Sequence, residues 1–190
     1  MKQKIIVFDT ETGGLDPQEH SLLQVGIMVC ENGMVLDKLK INIVQDNYIV
    51  TERAMEINGI DLKTHTGVTP AQAVEEITAF VKEHFSKPAQ VLGHNVPFDV
   101  GFLKELFKSV GANYDRVFSY RLLDTSSIAR FLIFAGIIPD GGSLGQLAKQ
   151  FGVEFDQDSL HDALVDCEVT YKILIEMTNM FPQPAIEVAV

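Results

Sequence analysis

The sequence predicts an α/β fold with a mixed central sheet that begins as an antiparallel meander and is flanked by helices. Three observations carry this expectation. The N-terminal part reads as three consecutive strands, two of them joined by an Asn-Gly turn. The later chain is dominated by helical periodicity. Two short apolar runs fall between those helices, so further strands join the same sheet.

The first strand is read from Lys2 to Phe8, with Ile5 and Val7 on the face that continues to Asp9 and Glu11. Leu22 to Cys30 and Met34 to Val44 follow as strands, turned by Glu31-Asn32-Gly33. Thr51 to Ile57 is a short helix with Thr51 as N-cap and Gly59 near its end. Thr69-Pro70 opens the next helix in the preferred order, cap then proline, and Ala73, Val74, Ile77, Phe80 and Val81 keep helical spacing. Ala89 to Leu92 is a strand ending at Gly93-His94-Asn95. A helix from Pro97 to Val110 carries Phe98, Phe102, Leu103, Leu106 and Phe107 on its apolar side. Arg121 to Leu123 is one more strand, and Thr125 to Phe134, Ser143 to Phe151 and Ala163 to Met180 are helices. Residues 1–180 are expected to form one domain and 181–190 a C-terminal tail.

Composition narrows the function. At 190 residues, 46% hydrophobic and 22% charged, the chain suits a globular protein able to bury roughly 70% of its unfolded surface. No apolar stretch approaches the roughly 20 residues of a membrane span, and Asp9 and Glu11 interrupt the N-terminal apolar run too early for a signal peptide. Cys30 and Cys167 are isolated, which argues against zinc or a disulfide framework and makes the cytoplasm the default location. A net charge of −11 argues against a protein that grips long duplexes, unless its 15 Lys and Arg residues cluster on one side. It leaves room for an enzyme that needs only a short strand end.

Three segments carry chemistry. In Asp9-Thr10-Glu11-Thr12-Gly13-Gly14-Leu15, two carboxylates at i and i+2 project from one face of the strand's end. Like charges that close repel unless a cation bridges them or one is protonated, and hard oxygen ligands suit Mg²⁺ or Mn²⁺. The plainer reading is a strand running into an acidic turn. In Gly93-His94-Asn95-Val96-Pro97-Phe98-Asp99, Asp99 falls in the first turn of a helix, where the helix dipole alone would favour it. In His161-Asp162-Ala163-Leu164-Val165-Asp166, Asp162 is a natural N-cap, leaving His161 in the preceding loop and Asp166 one turn inside. Read alone, that is a surface histidine beside a capped helix. The other histidines, His20, His65, His84 and His94, read as structural.

Taken in order, Asp9-x-Glu11, Asn95-x-x-Phe98-Asp99 and His161-x-Ala163-x-x-Asp166 resemble the motifs of the DEDDh branch of the DnaQ-like 3′–5′ exonucleases, the superfamily of proofreading exonuclease subunits and ribonuclease T. Ile57-Asn58-Gly59-Ile60, Ser143-Leu144-x-x-Leu147 and Asp124-Thr125 match intermediate signposts, so the resemblance covers nearly the whole chain. Asn58 stands where histidine is frequent and Gly13 where threonine is common.

The resemblance implies a ribonuclease H-like fold and a metal-dependent 3′–5′ exonuclease that releases nucleoside 5′-monophosphates from single-stranded 3′ ends; the motif set serves DNA and RNA alike, and DNA is taken as the slightly preferred substrate as a guess. It implies Asp9, Glu11, Asp99 and Asp166 as the acids serving two divalent ions, Mg²⁺ or Mn²⁺, with Asp9 bridging both. His161 is implied as the general base that deprotonates the attacking water. Thr12, Gly14 and Leu15 are implied to line the terminal-nucleotide pocket, and Ile57 and Asn58 to contact the substrate backbone. Phe98 is either a stacking platform or a core residue beside Phe102. Asp124 is read as a helix cap or buried hydrogen-bond partner, not a ligand. Implied partners are a nucleic-acid 3′ end and a polymerase or other protein. The alternatives are a non-catalytic nucleic-acid- or protein-binding module on the same fold, and a structural Ca²⁺ site, whose ligands are usually local in sequence.

Overall fold

The computed structural model describes residues 3–156 and 161–182. Its sheet consists of β1 (Ile5–Thr12), β2 (Leu22–Glu31), β3 (Met34–Asn42), β4 (Ala89–Gly93) and β5 (Phe118–Asp124). The spatial order is β3-β2-β1-β4-β5, antiparallel across β1, β2 and β3 and parallel across β1, β4 and β5. This is the mixed sheet that the sequence predicts. Asn32 and Gly33 both take positive φ, 55° and 82°, the pairing that a two-residue hairpin needs to match strand twist.

β1 is longer at its polar end than the sequence reading. Asp9, Thr10 and Glu11 stay in register with Gly26, Val25 and Gln24 of β2, so both carboxylates lie inside the strand. The ladder is a backbone property and does not stop where apolar side chains stop. β5 is also longer than expected. Ala89 pairs with Phe118 but Val91 with Leu122, so β5 carries extra residues in a bulge, and the solvated Ser119-Tyr120-Arg121 hides it from a hydrophobicity pattern. β3 ends two residues early, because Ile43 leaves it to bridge Val68.

The helices are α1 (Glu52–Asn58), α2 (Pro70–His84), α3 (Val96–Ser109), α4 (Thr125–Phe134), α5 (Leu144–Gln150) and α6 (Ala163–Asn179). Their starts follow from side chains. The Thr51 hydroxyl accepts from the Ala54 N–H, Thr69 and Ser143 form capping boxes with Gln72 and Gln146, and Asp162 accepts from the Leu164 N–H. Gly59 closes α1 at φ 66°.

Alternation along β1 distributes the core. Ile6 and Phe8 pack with Phe102, Leu103 and Phe107 of α3 and Ile77 of α2. Ile5 and Val7 pack on the other face against Cys167, Tyr171 and Leu174 of α6, behind which lie Leu132 of α4 and Leu147 of α5. Truncating a fully buried ring such as Phe8 to alanine costs about 3–5 kcal/mol. α6 meets the sheet closely at Gly26. A Cβ there would stand 2.5 Å from the carbonyl carbon and oxygen of Ala163. The Gln24 side chain accepts from the Ala163 N–H at 3.0 Å and fixes the same contact. Lys2, which the sequence puts in the first strand, and residues 183–190 of the expected tail lie outside the described residues. Among the described residues no helix is long and apolar enough to cross a membrane.

Candidate active site

The polar end of β1 continues the alternation of its core. Thr10 follows Phe8 toward α3 and donates its hydroxyl to Asp99 Oδ1 at 2.7 Å. Asp99, in the first turn of α3, is only 3% exposed. The start of α3 is held from β5: Asp124 Oδ1 accepts from the Asn95 N–H at 2.7 Å and the Val96 N–H at 3.4 Å, while the same carboxylate caps α4. Asp124 is thus a cap and a backbone tether. His94 Nδ1 lies 3.0 Å from the Thr125 hydroxyl and is structural.

Asp9 and Glu11 follow Val7 toward α6, whose first turn carries Asp166. Glu11 and Asp166 are buried, and Asp166 Oδ1 is fully buried without a hydrogen-bond partner. His161 is exposed in the loop before α6 at φ 73°, a conformation uncommon for a side-chain-bearing residue. One ligand atom each from Glu11, His161 and Asp166 lie within 4.8 Å of one another. Asp9 and Asp99 stand outside that trio but interact with it electrostatically.

All four acids are pushed the same way. Burial raises Asp9 well above the usual carboxylate range, and Asp99, Asp166 and Glu11 push it further. Glu11 rises to about 9 through burial, then through Asp166 and Asp99, with only Lys40 opposing. Burial takes Asp99 to about 7 despite the Thr10 hydrogen bond, and Asp166 to about 6. Desolvation and mutual repulsion therefore leave the site short of positive charge. Asp162 adds to the repulsion and is itself paired with Lys40 of β3.

Beside Glu11 a cleft brings together Thr12, Gly14, Leu15, Ile57, Asn58 and Phe98. Leu15 stands 84% exposed at its rim. Asn58 Nδ2 donates to the Thr12 carbonyl at 3.1 Å and the Thr51 N–H to the Gly13 carbonyl at 2.6 Å, tying α1 to the end of β1. The Phe98 ring is 5.0 Å from Phe102 and also lines the cleft, so one ring serves core and wall. His20, Thr51, Arg53 and Ala54 line it too. Arg53, Ala54 and Ile57 share a face of α1 by helical spacing, a signal available in the sequence. His20 carried none. Its ring occupies the space over Gly14, 2.1 Å from where a Cβ would sit.

The exonuclease family model, that of RNase T, matches residues 6–174. The chain belongs to the DnaQ-like 3′–5′ exonuclease family. It is 27% identical over 186 residues to ribonuclease T of Actinobacillus pleuropneumoniae, covering 92% of this chain and 83% of that protein. It is 29% identical over 167 residues to the PolC-type DNA polymerase III of Pediococcus pentosaceus, 88% of this chain but 11% of the polymerase's length. Against the 3′–5′ exonuclease DinG of Bacillus subtilis, identity is 27% over 183 residues, 96% of this chain and 18% of the relative. E. coli exonuclease I in complex with a dT13 oligonucleotide shares the fold at a TM-score of 0.79 and 20% identity, across 94% of this chain and 41% of that one. The chain therefore carries an exonuclease domain, of a family that uses divalent metal ions, and spans about a tenth of the length of the PolC-type relatives it matches.

Proposed function

We propose that this exonuclease removes nucleoside 5′-monophosphates one at a time from single-stranded 3′ ends, and that Asp9, Glu11, Asp99 and Asp166 hold two divalent ions, Mg²⁺ or Mn²⁺. The observation that carries this reading is the orphaned Asp166 Oδ1, buried among carboxyl groups that repel one another. An all-oxygen donor set with excess negative charge suits a hard divalent cation. Bound there, such ions supply positive charge to the scissile phosphate and to the entering and leaving oxygens.

The chain's own residues do the rest. Thr10 orients the Asp99 carboxylate through its hydroxyl. His161, exposed beside Glu11 and Asp166, takes the proton of the attacking water on a ring nitrogen. Leu15, Ile57 and Phe98 give the terminal base an apolar seat, and stacking on Phe98 accepts any base. The Thr12 hydroxyl donates to the Gly14 carbonyl and the Asn58 amide to the Thr12 carbonyl, so neither donor is turned to a ribose 2′-hydroxyl. That supports DNA as the preferred substrate, as does the DNA strand on exonuclease I, while the ribonuclease name of one relative points to RNA. The PolC-type relative suggests a polymerase as a physiological partner. Two buried free cysteines are consistent with a cytoplasmic setting.

The test is shortening of matched 5′-labelled DNA and RNA single strands in Mg²⁺ or Mn²⁺ against an EDTA control. A metal-dependent ladder that shortens from the 3′ end, faster on DNA, is expected. Equal ladders with and without EDTA would remove the metal role, and a faster RNA ladder would reverse the sugar preference.

A further inference from the structure

The opposite end of the sheet carries a second concave surface that the catalytic reading does not use. Lys4, Lys87 and Arg121 converge there on a cleft below the starts of β1, β4 and β5, with Ser86, Gln90 and Ser119 between them. No carboxylate lines it, in a chain where 26 acids face 15 Lys and Arg residues. Among the described residues none of the three cations forms an ion pair. Two of them are set against rings: Lys4 Nζ lies 5.9 Å from the Phe85 centroid, and the Arg121 guanidinium 5.4 Å from that of Tyr120. Unpaired cations in a concave setting concentrate field and attract polyanions.

A second observation points to the kind of anion. Tyr120 lies in the β5 bulge on an edge strand and is 79% exposed. A ring held outward beside a guanidinium is the pairing on which unstacked bases settle. β5 runs from this cleft to Asp124, which tethers the start of the helix bearing Asp99. Its open edge therefore joins the basic cleft to the acidic centre. From Lys4 to Glu11 is seven residues of extended chain, about 23 Å at about 3.3 Å each.

We propose that this cleft is a second nucleic-acid contact, which holds the phosphates of the single strand on the 5′ side of the end being hydrolysed while Tyr120 stacks one of its bases. The inference rests on the single-strand substrate proposed above. It also answers how a chain of charge −11 retains a polyanion: the holding charge sits apart from the acids that need metal.

The experiment measures binding of labelled single-stranded DNA in EDTA, so that nothing is hydrolysed, for wild type and a Lys4→Gln/Lys87→Gln/Arg121→Gln variant. Three lost phosphate contacts should flatten the log–log salt dependence for a strand of about twenty nucleotides by about 2, at about 0.7 per contact. The wild-type advantage should then shrink about 15-fold between about 50 and 200 mM salt. Affinity for a dinucleotide, and its hydrolysis in Mn²⁺, should not change. Tyr120→Ala should weaken long-strand binding without altering the salt slope. Because Lys4 also packs on Phe85, the Lys87→Gln/Arg121→Gln pair keeps the test valid if the triple variant unfolds. An unchanged slope in a folded variant overturns the inference. So does an equal loss for the dinucleotide or for a nucleoside monophosphate, which would make the cleft a mononucleotide site. If wild type shortens no strand in Mn²⁺ yet binds long strands through these residues, the hydrolytic reading fails and the cleft stands.

Discussion

Gly26→Ala is the substitution through which the packing of α6 should be felt most directly in catalysis. Gly26 is opposite Asp9 in the β1–β2 ladder, and the backbone of Ala163 lies against it. A new Cβ would meet the Ala163 carbonyl group at 2.5 Å, where ordinary contact begins at 3.4 Å. Both obstacles are backbone, so the N-terminus of α6 must retreat by about 0.9 Å, carrying His161 and Asp166 away from Asp9 and Glu11. Misplacing reacting groups by about 1 Å costs about 100-fold in turnover, or about 2.7 kcal/mol of barrier. Overpacking costs about 1–3 kcal/mol of stability, which leaves a folded protein. Steady-state kinetics on a short labelled strand, with near-UV circular dichroism and thermal melting, should show kcat reduced about 100-fold and a modestly lower Tm. Gly33→Ala, at a hairpin far from the acids, serves as control: it strains a positive-φ turn and should leave kcat unchanged. Turnover of a folded Gly26→Ala protein within about threefold of wild type would refute the claim that this contact sets the catalytic geometry.

The raised carboxyls give stability a pH signature. With folded pKa values of about 9 for Glu11, 7 for Asp99 and 6 for Asp166, the native state keeps protons that the unfolded chain has released. Metal-free stability should therefore fall as pH rises from about 4 toward 9, and the Tm increment from added Mn²⁺ should grow over the same window; a metal-free Tm that climbs with pH would contradict this. His161→Ala should lower kcat about 10²–10⁴-fold with the Mn²⁺-induced Tm shift intact, whereas a parallel loss of that shift would make the imidazole a metal ligand instead of a base. Thr10→Val removes the hydroxyl that holds Asp99 and should cost about 1–3 kcal/mol, since the carboxylate loses a buried donor. It should also weaken Mn²⁺ binding, measured by calorimetry, and unchanged metal affinity would show that Asp99 needs no such support.

Much of this site is legible in the sequence because its logic is local. Period-two alternation alone puts Asp9 and Glu11 on one face, and an N-cap at Asp162 alone leaves His161 in a loop with Asp166 one turn inside. What escapes is what the fold brings from a distance. Thr10 reads as a spacer between two acids, and its bond to Asp99 exists only because α3 covers the opposite face of β1. Lys40 falls inside the strand read from Met34 to Val44 with no partner assigned, and only the meander sets it beside Asp162. His20 reaches the cleft because Gly14 leaves it room. The bulge in β5 lies where polar and aromatic residues conceal a strand.

The sheet order also sets a sequence of events in time. The ribosome delivers β1 with Asp9 and Glu11 first and α3 with Asp99 midway, while α6, which brings His161 and Asp166 to them, is synthesised last among these elements. Until α6 is made, the centre proposed above lacks two of its groups, and the face of β1 that carries Ile5 and Val7 lacks its cover. On the roles proposed above for His161 and Asp166, hydrolysis would begin only once α6 has emerged and its first turn has reached Gly26.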